Sequence, residues 1–127
     1  MSVKQTFLLQ IDNFLEEIKI ISNNNKEIMI FCEQYNMLKS INSKLIVEYF
    51  IKFVYPFNKQ IREKDVNFFL QGGGQEELND NSGLKLRDTL MNLWNNDLDQ
   101  DKKDIIWKYL LVFCLLGEKY VVENAKK

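Results

Sequence analysis

A chain of 127 residues with 46% hydrophobic side chains, 28% charged ones and a formal charge of −1 is long enough to bury roughly two-thirds of the surface its unfolded form exposes. It reads as one globular domain over residues 1–127, which excludes a disordered chain and a surface built throughout to grip phosphate backbones. Histidine is missing altogether, and with it go Ser–His and Cys–His nucleophilic pairs, imidazole-ligated zinc and the commonest general base near neutral pH.

From Val3 onward, Phe7, Ile11, Phe14, Ile18 and Ile21 follow at steps of 4, 3, 4 and 3, with Leu8 and Leu15 beside them. That rhythm predicts an amphipathic helix. Ser22-Asn23-Asn24-Asn25 ends it. Ile28, Phe31, Cys32 and Tyr35 define a second, shorter helix, after which Ser40 and Ser43 offer places to stop and restart. Leu45, Ile46, Tyr49, Phe50, Phe53 and Val54 form a third. Pro56 disfavours helical geometry at Tyr55 and so kinks or ends the third helix there. Ile61, Val66, Phe68, Phe69 and Leu70 follow at irregular spacing in a turn or short helix that pins the chain to the core.

The polar, glycine-rich stretch from Gln71 to Asn81 reads as a mobile loop. Beyond it Leu86, Leu90, Leu93 and Trp94 define a fourth helix, broken by Asn95-Asn96-Asp97. The segment Ile105 to Leu116 is apolar on every side except at Lys108 and predicts a helix with no solvated face, running from about residue 102 into the 120s and fraying over residues 124–127. A membrane span needs about 20 apolar residues, more than this run supplies. The predicted architecture is all-α, a compact bundle of about five helices around a hydrophobic C-terminal helix.

The residues that carry chemistry elsewhere are poorly placed here. Cys32 and Cys114 lie far apart inside apolar runs and form no CxxC pair, as befits buried free thiols in a reducing compartment. Asp12, Glu16 and Glu17 interrupt the N-terminal apolar residues and there is no Asn-x-Ser/Thr sequon, so a soluble, intracellular protein is expected. Asp97, Asp99 and Asp101 mimic the opening of a calcium loop, but Lys102 stands at the glycine position and Lys108 where the closing acid belongs. Helix capping is the better reading.

Gly72-Gly73-Gly74 runs into Gln75-Glu76-Glu77 rather than Gly-Lys-Ser/Thr, which makes it a linker rather than a phosphate cradle. Adjacent acids such as Glu16-Glu17 point about 100° apart on a helix and do not converge. Trp94, Trp107, Tyr109, Phe113 and Tyr120 recur at helical spacing and read as core, and Lys108 reads as a stem along the core whose ammonium reaches water. No catalytic residue, metal or cofactor is expected.

Charge is unevenly distributed. Between residues 39 and 64 six bases (Lys39, Lys44, Lys52, Lys59, Arg62, Lys64) face two acids, whereas residues 76–104 hold eight acids and four bases. Such a dipolar chain suits self-association or docking of a charged partner. The stretches Val54-Tyr55-Pro56 with Gln60-Ile61 and Asp65-Val66-Asn67-Phe68-Phe69-Leu70, then Leu93-Trp94, then Asp101 through Leu110 occur in an order that resembles small helical proteins of unknown function from nucleocytoplasmic large DNA viruses, the giant viruses. The resemblance covers residues 45–117 and implies a packed helical fold and a viral setting, in the host cytoplasm or the virion, with no functional residue to transfer.

The leading expectation is a non-enzymatic helical interaction module, a viral structural, assembly or host-modulating protein that presents a helix face to itself, as a homodimer, or to another protein. Its candidate interface is the first helix's stripe of Phe7, Ile11, Phe14, Ile18 and Ile21, where Phe14→Asp should break an interface and spare helicity. The competing account is that this stripe covers the last helix of its own chain. The alternative function is a nucleic-acid-associated protein using the basic stretch, although with only two arginines in the chain bidentate phosphate contacts are few and nucleic acid is the less expected partner.

Overall fold

A computed structural model describes residues 2–70, 86–96 and 98–125; the mobile loop expected over 71–81 lies outside these residues. Every regular element among the described residues is helical: α1 (Val3–Ile21), α2 (Lys26–Ile41), α3 (Ser43–Val54), a 3₁₀ turn (Tyr55–Phe57), α4 (Asn58–Arg62), α5 (Val66–Leu70), α6 (Leu86–Asn96) and α7 (Gln100–Ala125). The fold is all-α, as its periodicity indicates.

Local chemistry explains the breaks. The Ser2 hydroxyl accepts from the Gln5 amide while the Gln5 side chain accepts from the Ser2 amide, a capping box that starts α1. At its other end the Asn23 amide donates to the Ile20 carbonyl and the Asn24 amide to the Lys19 carbonyl. Asn23 and Asn24 sit at φ 54° and 59°, the left-handed region that asparagine tolerates better than most residues, so the asparagine run ends the helix. The Asn25 side chain then accepts from the Glu27 and Ile28 amides and opens α2. The corner between α2 and α3 belongs to Asn42 rather than to Ser40 or Ser43. Its amide donates to the Leu38 carbonyl and closes one helix while its side chain accepts from the Lys44 amide and opens the next.

At Pro56 the helix does end, but Tyr55 keeps helical dihedrals of −61° and −43°. The distortion is displaced to Val54 and Phe57, at φ −116° and −111°, and the chain tightens into a 3₁₀ turn instead of extending. The segment expected to be one turn or short helix resolves into α4 and α5. Between them lies Lys64, at φ 54°, where its amide bonds the Ile61 carbonyl and the Asp65 amide bonds the Gln60 carbonyl.

α1 and α7 run antiparallel, since Phe7 stacks on Phe113 and approaches Gly117 while Phe14 meets Tyr109. α7 also packs on α3, α4 and the 3₁₀ turn, and α2 lies against α3, α1 and α6. Phe113 is the centre of this core. Its ring lies 5.7 Å from Phe7, 5.3 Å from Phe14 and 5.5 Å from Phe50. A second aromatic contact, Trp94 against Trp107 at 5.3 Å, joins α6 to α7.

Two features of α7 depart from the expectation. The helix passes through Gly117 into the 120s as its pattern indicates, but it stays regular to Ala125, with the Asn124 side chain donating to the Tyr120 carbonyl where fraying was expected; residues 126–127 lie outside the described residues. Nor is α7 enclosed, because Lys108, Leu111, Leu115 and Glu118 are exposed on one side. The surrounding helices cover only the opposite side.

Substitutions one turn apart in α7 should therefore act in opposite directions. Phe113→Ala empties the centre of the ring cluster and is expected to lower the unfolding free energy by about 3–5 kcal/mol. Gly117→Ala is expected to raise it by about 0.5–1 kcal/mol, because a Cβ there meets Ile51 at 3.5 Å and Phe7 at 4.0 Å, ordinary van der Waals contact. Urea denaturation of both variants checks the pair of signs.

Candidate functional site

The most concentrated polar chemistry lies in a shallow groove of about 190 Å³ between α1 and α2, lined by Asp12, Glu16, Lys19, Cys32, Tyr35 and Lys39 among others. Tyr35 and Lys39 are one helical turn apart on α2 and both reach Asp12 on α1. The Tyr35 hydroxyl donates to Asp12 Oδ1 at 2.6 Å, and Lys39 Nζ donates to both carboxylate oxygens at 3.0 and 2.8 Å. Lys39 also stands 5.8 Å from the Tyr35 ring centroid. Burial, reinforced by the Asp12 carboxylate, holds the Tyr35 hydroxyl far above the ordinary phenol range. Next to this cluster Lys19 pairs with Glu16 at 3.0 Å.

The groove floor holds Cys32, whose thiol is pushed up by burial, with Lys19 pulling down and Glu16 adding to the rise. A thiol raised in this way is a weak nucleophile at neutral pH. Both Asp12 oxygens already accept hydrogen bonds, so this carboxylate acts as a clasp between two helices rather than as a base awaiting a proton. Sequence reasoning missed the clasp because it joins residues 23 and 27 positions apart. Its only local signal is the Tyr35–Lys39 spacing.

The candidate interface on α1 is a correction. Phe7, Ile11, Phe14 and Ile18 are fully buried and Ile21 nearly so, packed within the chain against the hydrophobic face of α7 and its neighbours. The 4-3 rhythm reports a helix pairing, but the partner helix belongs to the same chain. Phe14 lies in the ring cluster with Tyr109 and Phe113, so Phe14→Asp buries a charge and disrupts the fold instead of an interface.

The basic stretch is not assembled into one cationic surface. Lys39 is held by Asp12 in the α1–α2 groove, Lys44 lies 4.0 Å from Glu48 within α3, and Arg62 leans from α4 to Glu118 on α7 at 3.7 Å. Lys52, Lys59 and Lys64 are exposed and have no ion pair among the described residues. Asp99 caps α7 by accepting from the Lys102 amide at 3.0 Å; Asp97 lies outside the described residues. Among the described residues no group of three or more His, Cys, Asp or Glu side chains could hold a metal, and no helix is long and apolar enough to cross a membrane.

Besides Leu9 and Ile20 on α1, large apolar side chains face solvent on α2 and α7. On α2, Ile30, Met37 and Ile41 share one face, and Leu45 is exposed at the start of α3. On α7 the exposed apolar residues are Leu111, Leu115, Val121 and Val122. No protein-family profile, curated protein or solved structure matches this chain.

Two measurements test the groove and the thiols. Asp12→Ala leaves the buried Tyr35 hydroxyl without its acceptor and is expected to cost about 1–3 kcal/mol in urea denaturation. Cys114 is buried beneath α3, with its thiol 3.9 Å from the Val54 carbonyl, and burial pushes its pKa from 9.0 up to about 11. A raised pKa favours the folded state while the thiol is neutral, so that contribution is complete below pH 9 and lost as pH climbs through about 11. Cys114→Ala should flatten the decline of unfolding free energy across that window.

Proposed function

We propose that the chain is a non-enzymatic helical interaction module that docks an amphipathic helix of another protein along the outer face of α2 and the start of α3. The observation that carries this reading is the exposure of Met37 at 65% and Ile41 at 75% in a stripe with Ile30. Scattered exposed apolar residues are ordinary, but a stripe at i, i+7 and i+11 on one helix is the contact pattern by which helices pack. Methionine at its middle adapts to an irregular partner surface.

The stripe has charged borders, with exposed Lys26, Glu27 and Glu33 along its first half and exposed Lys44, 4.0 Å from Glu48, beyond its end. The resemblance to giant-virus proteins adds the setting, a viral structural, assembly or host-modulating role. The nucleic-acid alternative has less support, because Lys39, Lys44 and Arg62 already face carboxylates of their own chain.

Site-specific photo-crosslinking in cells tests the reading, with a photoreactive residue at Met37 and a control at exposed Asn13 on α1. A discrete heteromeric adduct at position 37 that is absent at position 13 is the expected result. Equal labelling at the two positions, or none at either, removes the α2 face as a docking surface.

A further inference from the structure

We propose that the solvated face of α7 pairs with α7 of a second copy, antiparallel, about a two-fold axis at the height of Phe113. This deepens the reading of the chain as an interaction module by naming a second copy of itself as the occupant of a different face. Six exposed residues carry it: Asp104, Lys108, Leu111, Leu115, Glu118 and Val122, all on one side of the helix at steps of 4, 3, 4, 3 and 4. That is the a/d rhythm of a coiled-coil seam, extending over about 27 Å at 1.5 Å per residue.

Reversing one copy on the other sets leucine against leucine at the centre of this seam and opposite charges on either side of it. An antiparallel helix pair sets each a position against a d position. With the axis at residue 113, Leu111 meets Leu115 of the second copy and Lys108 meets Glu118 of the second copy, and symmetry repeats both layers. The centre is thus two leucine layers, flanked on each side by a lysine–glutamate layer, with Asp104 and Val122 at the solvated ends. A parallel pairing instead sets Lys108 against Lys108 and Glu118 against Glu118, which like-charge repulsion disfavours. Charge therefore selects one direction and one register.

The fold leaves these groups available. Leu111 and Leu115 are 38% and 44% exposed. Lys108 has no ion-pair partner among the described residues, and Glu118 has only the 3.7 Å approach of exposed Arg62. Behind the seam, Phe113 and Cys114 are fully buried, so the helix that presents it is anchored along its opposite side. A seam of this length buries less than a standard interface and defines a weak, concentration-dependent dimer.

Sedimentation equilibrium of the full chain from about 1 µM to about 1 mM tests this, with circular dichroism confirming that each variant is folded. The wild type is expected to dimerise within that range, more weakly as salt rises. Lys108→Glu should weaken association at least about tenfold, because symmetry places repulsion in two layers. Combining it with Glu118→Lys should restore association to within about threefold of wild type. A wild type that stays monomeric throughout, or a charge-swapped double variant that fails to recover, overturns the proposal. Met37→Glu with Ile41→Glu should leave this dimer intact. If instead that pair abolishes it, the contact runs through α2 and the α7 seam is refuted. A monomeric wild type that still gives a heteromeric adduct at position 37 refutes the seam while the α2 reading stands.

Discussion

The ring of Phe113 is where the separate helices become one core. α1 reaches it through Phe7 and Phe14, α3 through Phe50, and α7 itself adds Tyr109 one turn earlier. Stacked and edge-to-face contacts occur together around this one ring, at interplanar angles of 11° to Phe7 and 89° to Phe14. Rings packed in both modes fix rotation as well as distance, because each geometry satisfies a different part of the ring quadrupole. The antiparallel course of α1 and α7 follows from this arrangement. So does the position of Gly117 beside Phe7 and Ile51, at a distance that leaves room for a Cβ in ordinary van der Waals contact.

That constraint decides which apolar surface remains outside. α1 commits its whole stripe inward, and α3 commits Ile46, Val47, Phe50, Phe53 and Val54. α2 and α7 hold more apolar residues than the core can enclose, and the surplus faces water. On the polar side, the Asp12 clasp locks α1 to α2 through a phenol and an ammonium, a directional tie that complements the shape-driven packing around Phe113. The molecule thus has a packed interior and two helix faces on which apolar side chains stay exposed.

Much of this architecture was legible in the sequence because its signals are local. Helical periodicity over Val3–Ile21 and the asparagine run after it lie within a few residues of the breaks they cause, and the cap at Asp99 is equally local. What escaped depends on comparison between elements. Hydropathy cannot distinguish a leucine that faces Phe50 from one that faces water, so α7 read as enclosed on all sides and Leu111 and Leu115 read as core. The α1 stripe shows the converse ambiguity, since the same rhythm describes packing within a chain and between chains. Asp12 gave no signal, as its partners are set by the way α2 lies on α1. The 3₁₀ turn at Pro56 was also out of reach, because the change of backbone geometry falls at Val54 and Phe57 rather than at the residue before the proline.

The placement of the tryptophans gives the molecule a built-in optical division. The chain has two, and both stand at the α6–α7 contact, ring to ring, with the Lys103 ammonium 5.4 Å from Trp94. The Phe113 cluster, by contrast, is made of phenylalanine and tyrosine. Indole emission and the long-wavelength edge of the near-ultraviolet dichroism consequently monitor the seating of α6 on α7. Any process that lifts α6 from Trp107 while the Phe113 cluster stays packed is therefore visible in the indole band.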